Sequence, residues 1–202
     1  FAGHSLGEYS ALACVGSISF EDTLKILQKR GKFMQEAVPS GEGAMLAVLG
    51  MASKELDKIL ETNSKKYECF IANDNSNLQV VVSGLKKDIN LLSDDLNSRK
   101  VKNLKLNVSA PFHCKYMKTA SEKMTNYIND LNMSELEKPI ISNVTANETS
   151  SSKEIKSLLI SQIEKKVRWL ESVEYMINNG VKNFVEIGPG KVLSGLIKRI
   201  NK

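Results

Sequence analysis

The sequence predicts an α/β protein in which a mainly parallel sheet, flanked by helices, carries an inserted βαββαβ subdomain. Three observations lead to this prediction. Residues 3–7 carry a glycine–serine–glycine pattern typical of a strand-to-helix turn, residues 43–107 contain six segments of strand and helix character, and strands alternate with helices again after residue 108. We therefore expect a larger unit formed by residues 1–42 and 108–202, and a smaller unit formed by residues 43–107.

Gly3, Ser5 and Gly7 form the pattern Gly-x-Ser-x-Gly, which is typical of the nucleophile elbow of hydrolase-like α/β folds. Such a turn lifts the serine hydroxyl clear of the backbone, and it favours flanking glycines because a Cβ atom there would clash. Ser5 stands at the start of a predicted helix that ends near Gly16. The Leu6 amide N–H and the helix dipole would therefore point at any oxyanion that forms beside the hydroxyl.

An elbow also needs a strand before the turn, and here only Phe1 and Ala2 precede it. A strand in a globular protein averages about five or six residues, and the chain has no initiator methionine. We therefore expect the chain to be an internal fragment of a longer protein, whose preceding residues supply more of the sheet.

A second helix is expected to begin after Ser19, with Asp22 as its capping-box partner. Gly41 and Gly43 mark a break, and the pattern then changes. The six elements predicted in the middle third are a strand over 44–49, a helix over 53–62, strands over 69–72 and 78–83, a helix over 86–98 and a strand over 101–106. This βαββαβ order is that of a ferredoxin-like subdomain.

Alternation of strands and helices returns in the last third of the chain. The elements predicted there are a helix over 115–131, a short buried strand over 139–142, helices over 153–162 and 170–179, a strand over 184–187, a turn at 188–190 and a final helix over 192–200. Because parallel strands are joined by helical crossovers, this alternation favours a mainly parallel sheet.

The composition limits the classes of partner. A net charge of +5 and a pI near 9.0 favour an anionic partner, but the lysines are scattered among glutamates without a nucleic-acid motif, which argues against nucleic acid. The sequence has no apolar run long enough to cross a bilayer, which argues against a membrane. Cys14, Cys69 and Cys114 are odd in number and widely spaced, which favours a reducing, cytoplasmic environment. The sequence has no Cys-x-x-Cys motif and no histidine-rich cluster, which argues against a metal site.

A serine nucleophile needs a base, and the chain has two histidines, His4 and His113. The His4 ring is expected to point away from the adjacent Ser5 on a sharp turn. His113 is therefore the candidate base, in a segment that Pro111 keeps extended, although a loop histidine can also be an ordinary surface residue. Cys114 is an alternative nucleophile, but Ser5 is better placed, and we interpret Cys114 as a small packing residue.

Arg30 is the most informative charged residue, since its helical spacing from Leu27 and Met34 places it among inward-facing apolar side chains. A buried guanidinium needs an anionic partner. One interpretation is a structural salt bridge to Glu36, Asp22 or another carboxylate. The other is a bidentate contact with the carboxylate of a substrate. The residues alone leave both interpretations open.

Four motifs together make the chain resemble the malonyl-CoA:acyl carrier protein transacylases of type II fatty acid synthesis. They run from Gly3 to Gly16, from Arg30 to Gln35, from Pro111 to His113 and from Val185 to Lys191. The resemblance extends over nearly the whole chain, and it includes the βαββαβ insertion and the residues from Trp169 to Val173.

The resemblance implies roles for four residues of a reaction centre. Ser5 would be the nucleophile and His113 its base, and the main-chain carbonyl of Gln162 would orient the histidine in place of a triad acid. The Leu6 N–H would form one half of the oxyanion hole. In the family, the other half comes from a glutamine-containing loop near the N-terminus, outside this chain.

The resemblance also implies the substrates. Arg30 would bind the malonyl carboxylate, Met34 would line the same pocket, and Phe112 resembles the residue of acyltransferases that prefer malonyl over methylmalonyl groups. The expected reaction transfers malonyl from malonyl-CoA to the phosphopantetheine thiol of acyl carrier protein through a malonyl-serine ester. We expect a monomeric protein that uses no cofactor and no metal.

Two other functions share some of these features. A serine esterase or thioesterase would use the same elbow and base, but it would need a side-chain acid on the histidine and would not need Arg30. A non-catalytic fragment would only dock an acidic carrier protein through its basic surface. Rapid hydrolysis of the acyl-serine would favour the esterase, and carrier binding without serine labelling would favour the docking fragment.

Overall fold

The computed structural model describes residues 1–201, which form an α/β fold. The α-helices are α1 Leu6–Cys14, α2 Phe20–Gln35, α3 Ser53–Thr62, α4 Lys86–Ser98, α5 Lys118–Asn129, α6 Ser152–Gln162, α7 Trp169–Asn178 and α8 Val192–Ile200. The strands are β1 Gly43–Leu49, β2 Cys69–Ser76, β3 Gln79–Leu85, β4 Asn103–Lys105, β5 Ile140–Ile141 and β6 Glu148–Thr149.

Strands β1 to β4 form an antiparallel sheet in the order β2-β3-β1-β4. With α3 and α4 they follow the predicted βαββαβ order, which confirms the ferredoxin-like arrangement. The register places Leu46 of β1 opposite Val82 of β3 and Lys105 of β4. The sheet and the two helices share a hydrophobic core of their own, whose buried members include Leu46, Val48, Leu56, Val80, Val82, Ile89, Leu92 and Leu96.

A second core lies among α1, α2, α5 and α6, and it supports the N-terminal turn. Helix α2 begins after Ser19, whose hydroxyl accepts a hydrogen bond of 3.0 Å from the Asp22 N–H, as the capping prediction requires. The inward face of α2 carries Ile26, Arg30 and Met34. Other buried members of this core include Tyr9, Leu12, Met117, Met124, Ile128, Ile155 and Leu159.

The mainly parallel sheet is not confirmed, although the α/β class is. Outside β1 to β4, the described residues pair in the antiparallel ladder of β5 and β6. Within residues 1–201, parallel pairing is limited to isolated bridges, of Ala2 with Ile141 and of Asn73 with Val167. Alternation along the sequence indicates that helices separate the strands, but it does not determine which strands pair, because pairing joins residues far apart in the chain.

The prediction of a strand over 184–187 is wrong for the described part of the chain, where these residues form no strand. No backbone hydrogen bond pairs these residues with another segment of residues 1–201, and Val185 and Ile187 are each 82% exposed. The apolar pattern is present, but a strand also requires a hydrogen-bonded neighbour. The segment instead leads from α7 into bends at Gly188 and Gly190, whose φ values of 145° and 90° suit glycine.

The remaining boundaries lie close to those predicted. Helices α3, α4 and α8 have the expected bounds, whereas the helix predicted over 115–131 begins as a 3-10 turn at Lys115–Met117 and continues as α5 to Asn129. No helix formed by residues 1–201 is both long enough and apolar enough to span a membrane.

Candidate active site

The Gly-x-Ser-x-Gly segment folds into a sharp turn directly before α1. Ser5 has a φ of 53° and a ψ of −105°, a conformation that is strained for a residue with a side chain. A Cβ atom added to Gly3 would lie 1.9 Å from the carbonyl carbon of Gly7. The space around Gly7 itself is open, so the crowding argument holds for the first glycine and not for the second.

Two buried side chains hold the strained backbone of Ser5. The Ser5 N–H donates to Oδ1 of Asn143 at 2.7 Å, and the Ser5 carbonyl accepts from Nε2 of Gln162 at 3.0 Å. Nδ2 of Asn143 also donates to the Gly3 carbonyl at 2.7 Å. A strained conformation persists where its surroundings fix it from several sides, and these contacts fix both the donor and the acceptor of the serine backbone.

Ser5, His113 and the main chain of Gln162 form a line of hydrogen bonds. The Ser5 hydroxyl lies 2.8 Å from Nε2 of His113, and Nδ1 of His113 lies 2.8 Å from the Gln162 carbonyl oxygen. A carbonyl can only accept, so Nδ1 must carry the proton. This leaves the Nε2 lone pair facing the serine hydroxyl, which is the tautomer that a general base requires.

His113 is buried, with 4% of its surface exposed. Burial, and after it the positive charge of Arg30, lowers the pKa of His113 to about 3. The imidazole is therefore neutral at physiological pH and able to accept a proton.

Arg30 reaches the same hydroxyl from α2. It is 6% exposed, and its Nη2 donates to Oγ of Ser5 at 2.9 Å and to Oε1 of Gln162 at 3.0 Å. The salt-bridge interpretation is not supported, since no carboxylate within residues 1–201 forms a salt bridge with Arg30. Of the two carboxylates considered as partners, Asp22 instead accepts a hydrogen bond from the Ser19 hydroxyl at the start of α2, and Oε1 of Glu36 lies 4.0 Å from Nζ of Lys32. The Arg30 Nε is buried without a hydrogen-bond partner in the described structure.

The other predicted site residues lie around this centre. Met34 is buried one helical turn after Arg30. Phe112 is partly buried and packs against the core among α1, α2, α5 and α6, and against a small cluster on the sheet of β1 to β4 formed by Met45, Ala47, Ala72 and Val81. Leu6 begins α1, and its N–H has no acceptor within the described residues. The His4 ring turns away as expected, with its Nε2 2.8 Å from Oδ1 of Asn75.

Cys114 is buried, and its thiol donates to the Pro111 carbonyl at 3.0 Å. Burial raises the pKa of this thiol, which agrees with a packing role. A cleft of about 610 Å³ is lined by His113 and Cys114 among others, but by neither Ser5 nor Arg30. The Ser5 hydroxyl and the Arg30 guanidinium therefore lie outside that cleft. Within residues 1–201, no cluster of His, Cys, Asp and Glu side chains could hold a metal ion.

Sequence reasoning missed two buried residues beneath the turn, Glu8 and Asn143. Oε2 of Glu8 accepts from Nε2 of Gln162 at 2.6 Å and from the Asn143 N–H at 3.2 Å. Burial raises the pKa of Glu8 to about 7, against the opposing effects of its hydrogen bonds and of Arg30. The spacing of Glu8 three residues after Ser5 on one helix face was an available signal, and so was the position of Asn143 directly after a predicted strand.

The whole chain, residues 1–202, matches the model of the acyl transferase domain family. The chain belongs to this family. Among curated proteins, this acyl transferase domain is 43% identical over 203 residues to the malonyl CoA-acyl carrier protein transacylase of Bacillus subtilis. That match covers 100% of the chain and 64% of the relative, so the chain spans less than two thirds of the length of that protein.

Solved structures agree with this assignment. The acyl transferase domain matches the malonyl CoA-acyl carrier protein transacylase of Coxiella burnetii with a TM-score of 0.95 and 38% identity, over 99% of this chain and 64% of that one. It also matches a malonyl-transacylase solved in complex with a type II PKS acyl-carrier protein, with a TM-score of 0.94 and 39% identity, over 98% of this chain and 65% of that one. The resemblance inferred from the four sequence motifs is confirmed.

Proposed function

We propose that the protein carrying this acyl transferase domain moves a malonyl group from malonyl-CoA to the phosphopantetheine thiol of acyl carrier protein, in fatty acid biosynthesis. One observation carries the proposal: Oγ of Ser5 lies 2.8 Å from Nε2 of His113 and 2.9 Å from the buried Nη2 of Arg30. The nucleophilic oxygen thus contacts both a neutral base and a cation that can bind a carboxylate. The names of the relatives, and the carrier protein bound to one of them, support the same reaction.

In the first half-reaction, His113 takes the Ser5 proton on Nε2 as Oγ attacks the thioester carbonyl carbon. The carbonyl oxygen becomes an oxyanion, which the Leu6 N–H at the start of α1 is placed to stabilise. The carbon–sulfur bond then breaks, and coenzyme A leaves with the proton from His113. The product is a malonyl ester on Ser5.

In the second half-reaction, the carrier thiol gives its proton to His113, and its sulfur attacks the ester carbonyl. The carbon–oxygen bond breaks, and the proton returns to Ser5. The main-chain carbonyl of Gln162 keeps the Nδ1 proton of His113 in place during both steps. It also stabilises the imidazolium that forms transiently.

Arg30 would hold the distal carboxylate of the malonyl group. Its Nε has no protein partner in the described structure, so the guanidinium keeps a donor for a substrate oxygen. Met34 would line the same pocket, and Phe112 would exclude a branched methylmalonyl group. A carboxylate bound here lies beside Ser5 because the same guanidinium contacts Oγ.

We also propose that residues 1–42 and 108–202 form the large subdomain and residues 43–107 the small one. Separate hydrophobic cores support this division. The parallel bridge between Ala2 and Ile141 supports a hydrolase-like, mainly parallel sheet in the large subdomain of the protein that carries this chain.

The nearest alternative is a serine esterase or thioesterase. The two functions differ in whether the acyl-serine ester is hydrolysed by water or transferred to the carrier thiol. We expect the malonyl ester to persist in water and to disappear when carrier protein bearing the phosphopantetheine thiol is added, because Nδ1 of His113 is held by a carbonyl rather than by a carboxylate. Time-resolved intact mass, with apo carrier protein as the control, measures both rates. Hydrolysis as fast as transfer would favour the esterase, and carrier binding without any ester would favour a docking role.

A further inference from the structure

Glu8 is a buried carboxyl group that the acyl-transfer steps do not use. Its surface is 1% exposed, and it lies on the first turn of α1, directly below the Ser5 elbow. Oε2 accepts the Gln162 side-chain N–H at 2.6 Å and the Asn143 backbone N–H at 3.2 Å. A buried carboxyl group is costly unless it is hydrogen-bonded, so its presence at this point calls for a function.

The contact with Glu8 determines which way the Gln162 amide faces. A primary amide donates from its nitrogen and accepts at its oxygen. Because a carboxylate only accepts, Nε2 must face Glu8, and the same nitrogen also donates to the Ser5 carbonyl at 3.0 Å. Oε1 is then left on the opposite side, where it accepts from Nη2 of Arg30 at 3.0 Å. The reversed amide would place two donors against Arg30 and an acceptor against Glu8.

We propose that Glu8 is a positioning residue that, by fixing the orientation of the Gln162 amide, holds the Arg30 guanidinium beside Ser5 and so sets the preference for acyl groups that carry a carboxylate. Arg30 has no carboxylate partner within residues 1–201, and its described acceptors are Oγ of Ser5 and Oε1 of Gln162. Glu8 thus acts on Arg30 through Gln162, which leaves the guanidinium available for the substrate. The inference rests on the proposed function of the site and adds a determinant of its specificity.

The groups that face Glu8 allow a test by pH. Arg30 faces Glu8 from α2, and Tyr9 is the next residue after Glu8 on α1. The other groups that face Glu8 are neutral dipoles of Ser142, Asn143 and Gln162. Arg30 stays charged, and burial raises the pKa of Tyr9 to about 12, so neither changes charge between pH 6 and pH 8.5. Glu8 does change charge in this range, because its pKa is raised to about 7. Its carboxylate is lost as the pH falls through that value, and the orientation of the Gln162 amide is then no longer enforced.

The test is the ratio of kcat/KM for malonyl-CoA to that for acetyl-CoA in the protein that carries this chain. The amide that Glu8→Gln introduces can donate as well as accept, so it no longer enforces one orientation of Gln162. A neutral hydrogen bond is also weaker than a charge-assisted one, by about tenfold as an equilibrium constant, so we expect Glu8→Gln to lower the ratio about tenfold. His113→Ala is the control, because His113 contacts the Ser5 hydroxyl and the main-chain carbonyl of Gln162 but forms no hydrogen bond with Arg30 or with the Gln162 side chain. It should lower both rates together and leave the ratio unchanged.

The pH profile of the ratio separates positioning from a structural role. In the wild type the ratio should fall as the pH is lowered through about 7, and in Glu8→Gln it should be flat. The two donors share coenzyme A, so titration of its phosphates cancels. If Glu8→Gln does not fold, the wild-type profile alone decides. An unchanged ratio in the folded variant, or a flat wild-type profile, would overturn the inference, whereas failure of the wild type to acylate Ser5 with either donor would overturn the proposed function itself.

Discussion

Arg30→Ala should lower acylation of Ser5 by malonyl-CoA by about 10²–10³-fold, because truncating one member of a buried, hydrogen-bonded charge pair typically costs several kcal/mol. Acylation by acetyl-CoA should be spared or improved. An uncharged acyl group makes no ion pair with the guanidinium, and removal of Arg30 frees Oγ of Ser5 from one of its hydrogen bonds. Rapid-quench measurement of acyl-serine formation with the two donors gives both rates.

Arg30→Lys is the matched control for this experiment. It keeps a positive charge but loses the planar fork, so malonyl use should fall between that of the wild type and that of Arg30→Ala. An equal loss of malonyl and acetyl transfer in Arg30→Ala would remove Arg30 from carboxylate recognition.

His113→Ala should slow acylation by every donor about 10²–10⁴-fold, the usual contribution of a general base. The loss should not discriminate between malonyl and acetyl groups, because His113 contacts the nucleophile and not the distal end of the acyl group. This uniform loss contrasts with the selective loss expected for Arg30→Ala.

The wild-type pH profile with acetyl-CoA tests the same residue without a substitution. Because the pKa of His113 is lowered to about 3, protonation should not remove the base between pH 8 and pH 5. The first-turnover rate with acetyl-CoA should therefore lack an inflection near 6.5, the ordinary pKa of histidine. An inflection there that persists in Glu8→Gln, in which Glu8 no longer titrates, would show that His113 keeps its ordinary pKa during catalysis.

Local features of the sequence predicted much of this structure. The elbow, the capped start of α2 and the inward position of Arg30 depend on residues within one or two helical turns, where spacing determines which side chains share a face. The order of the elements from 43 to 105 follows for the same reason, since turn residues and apolar periodicity mark each segment.

Long-range contacts account for what the sequence did not reveal. Asn143 and Glu8 come together beneath Ser5 across 135 positions, and spacing cannot show such a meeting. The Gln162 carbonyl beside His113 was expected only from the family resemblance. The apolar residues from 184 to 187 carry a strand pattern, yet whether they pair depends on a neighbouring strand and not on the segment itself.

The proposed reaction depends on the Ser5 hydroxyl carrying the malonyl group as an ester. The most direct measurement is intact mass of the protein that carries this chain after mixing with malonyl-CoA, beside Ser5→Ala treated in the same way. We predict a mass increase of one malonyl group in the wild type, located on the peptide that contains Ser5, and none in the variant. A malonyl adduct that survives in Ser5→Ala, or a wild type that never gains the group, would rule out a malonyl ester on Ser5.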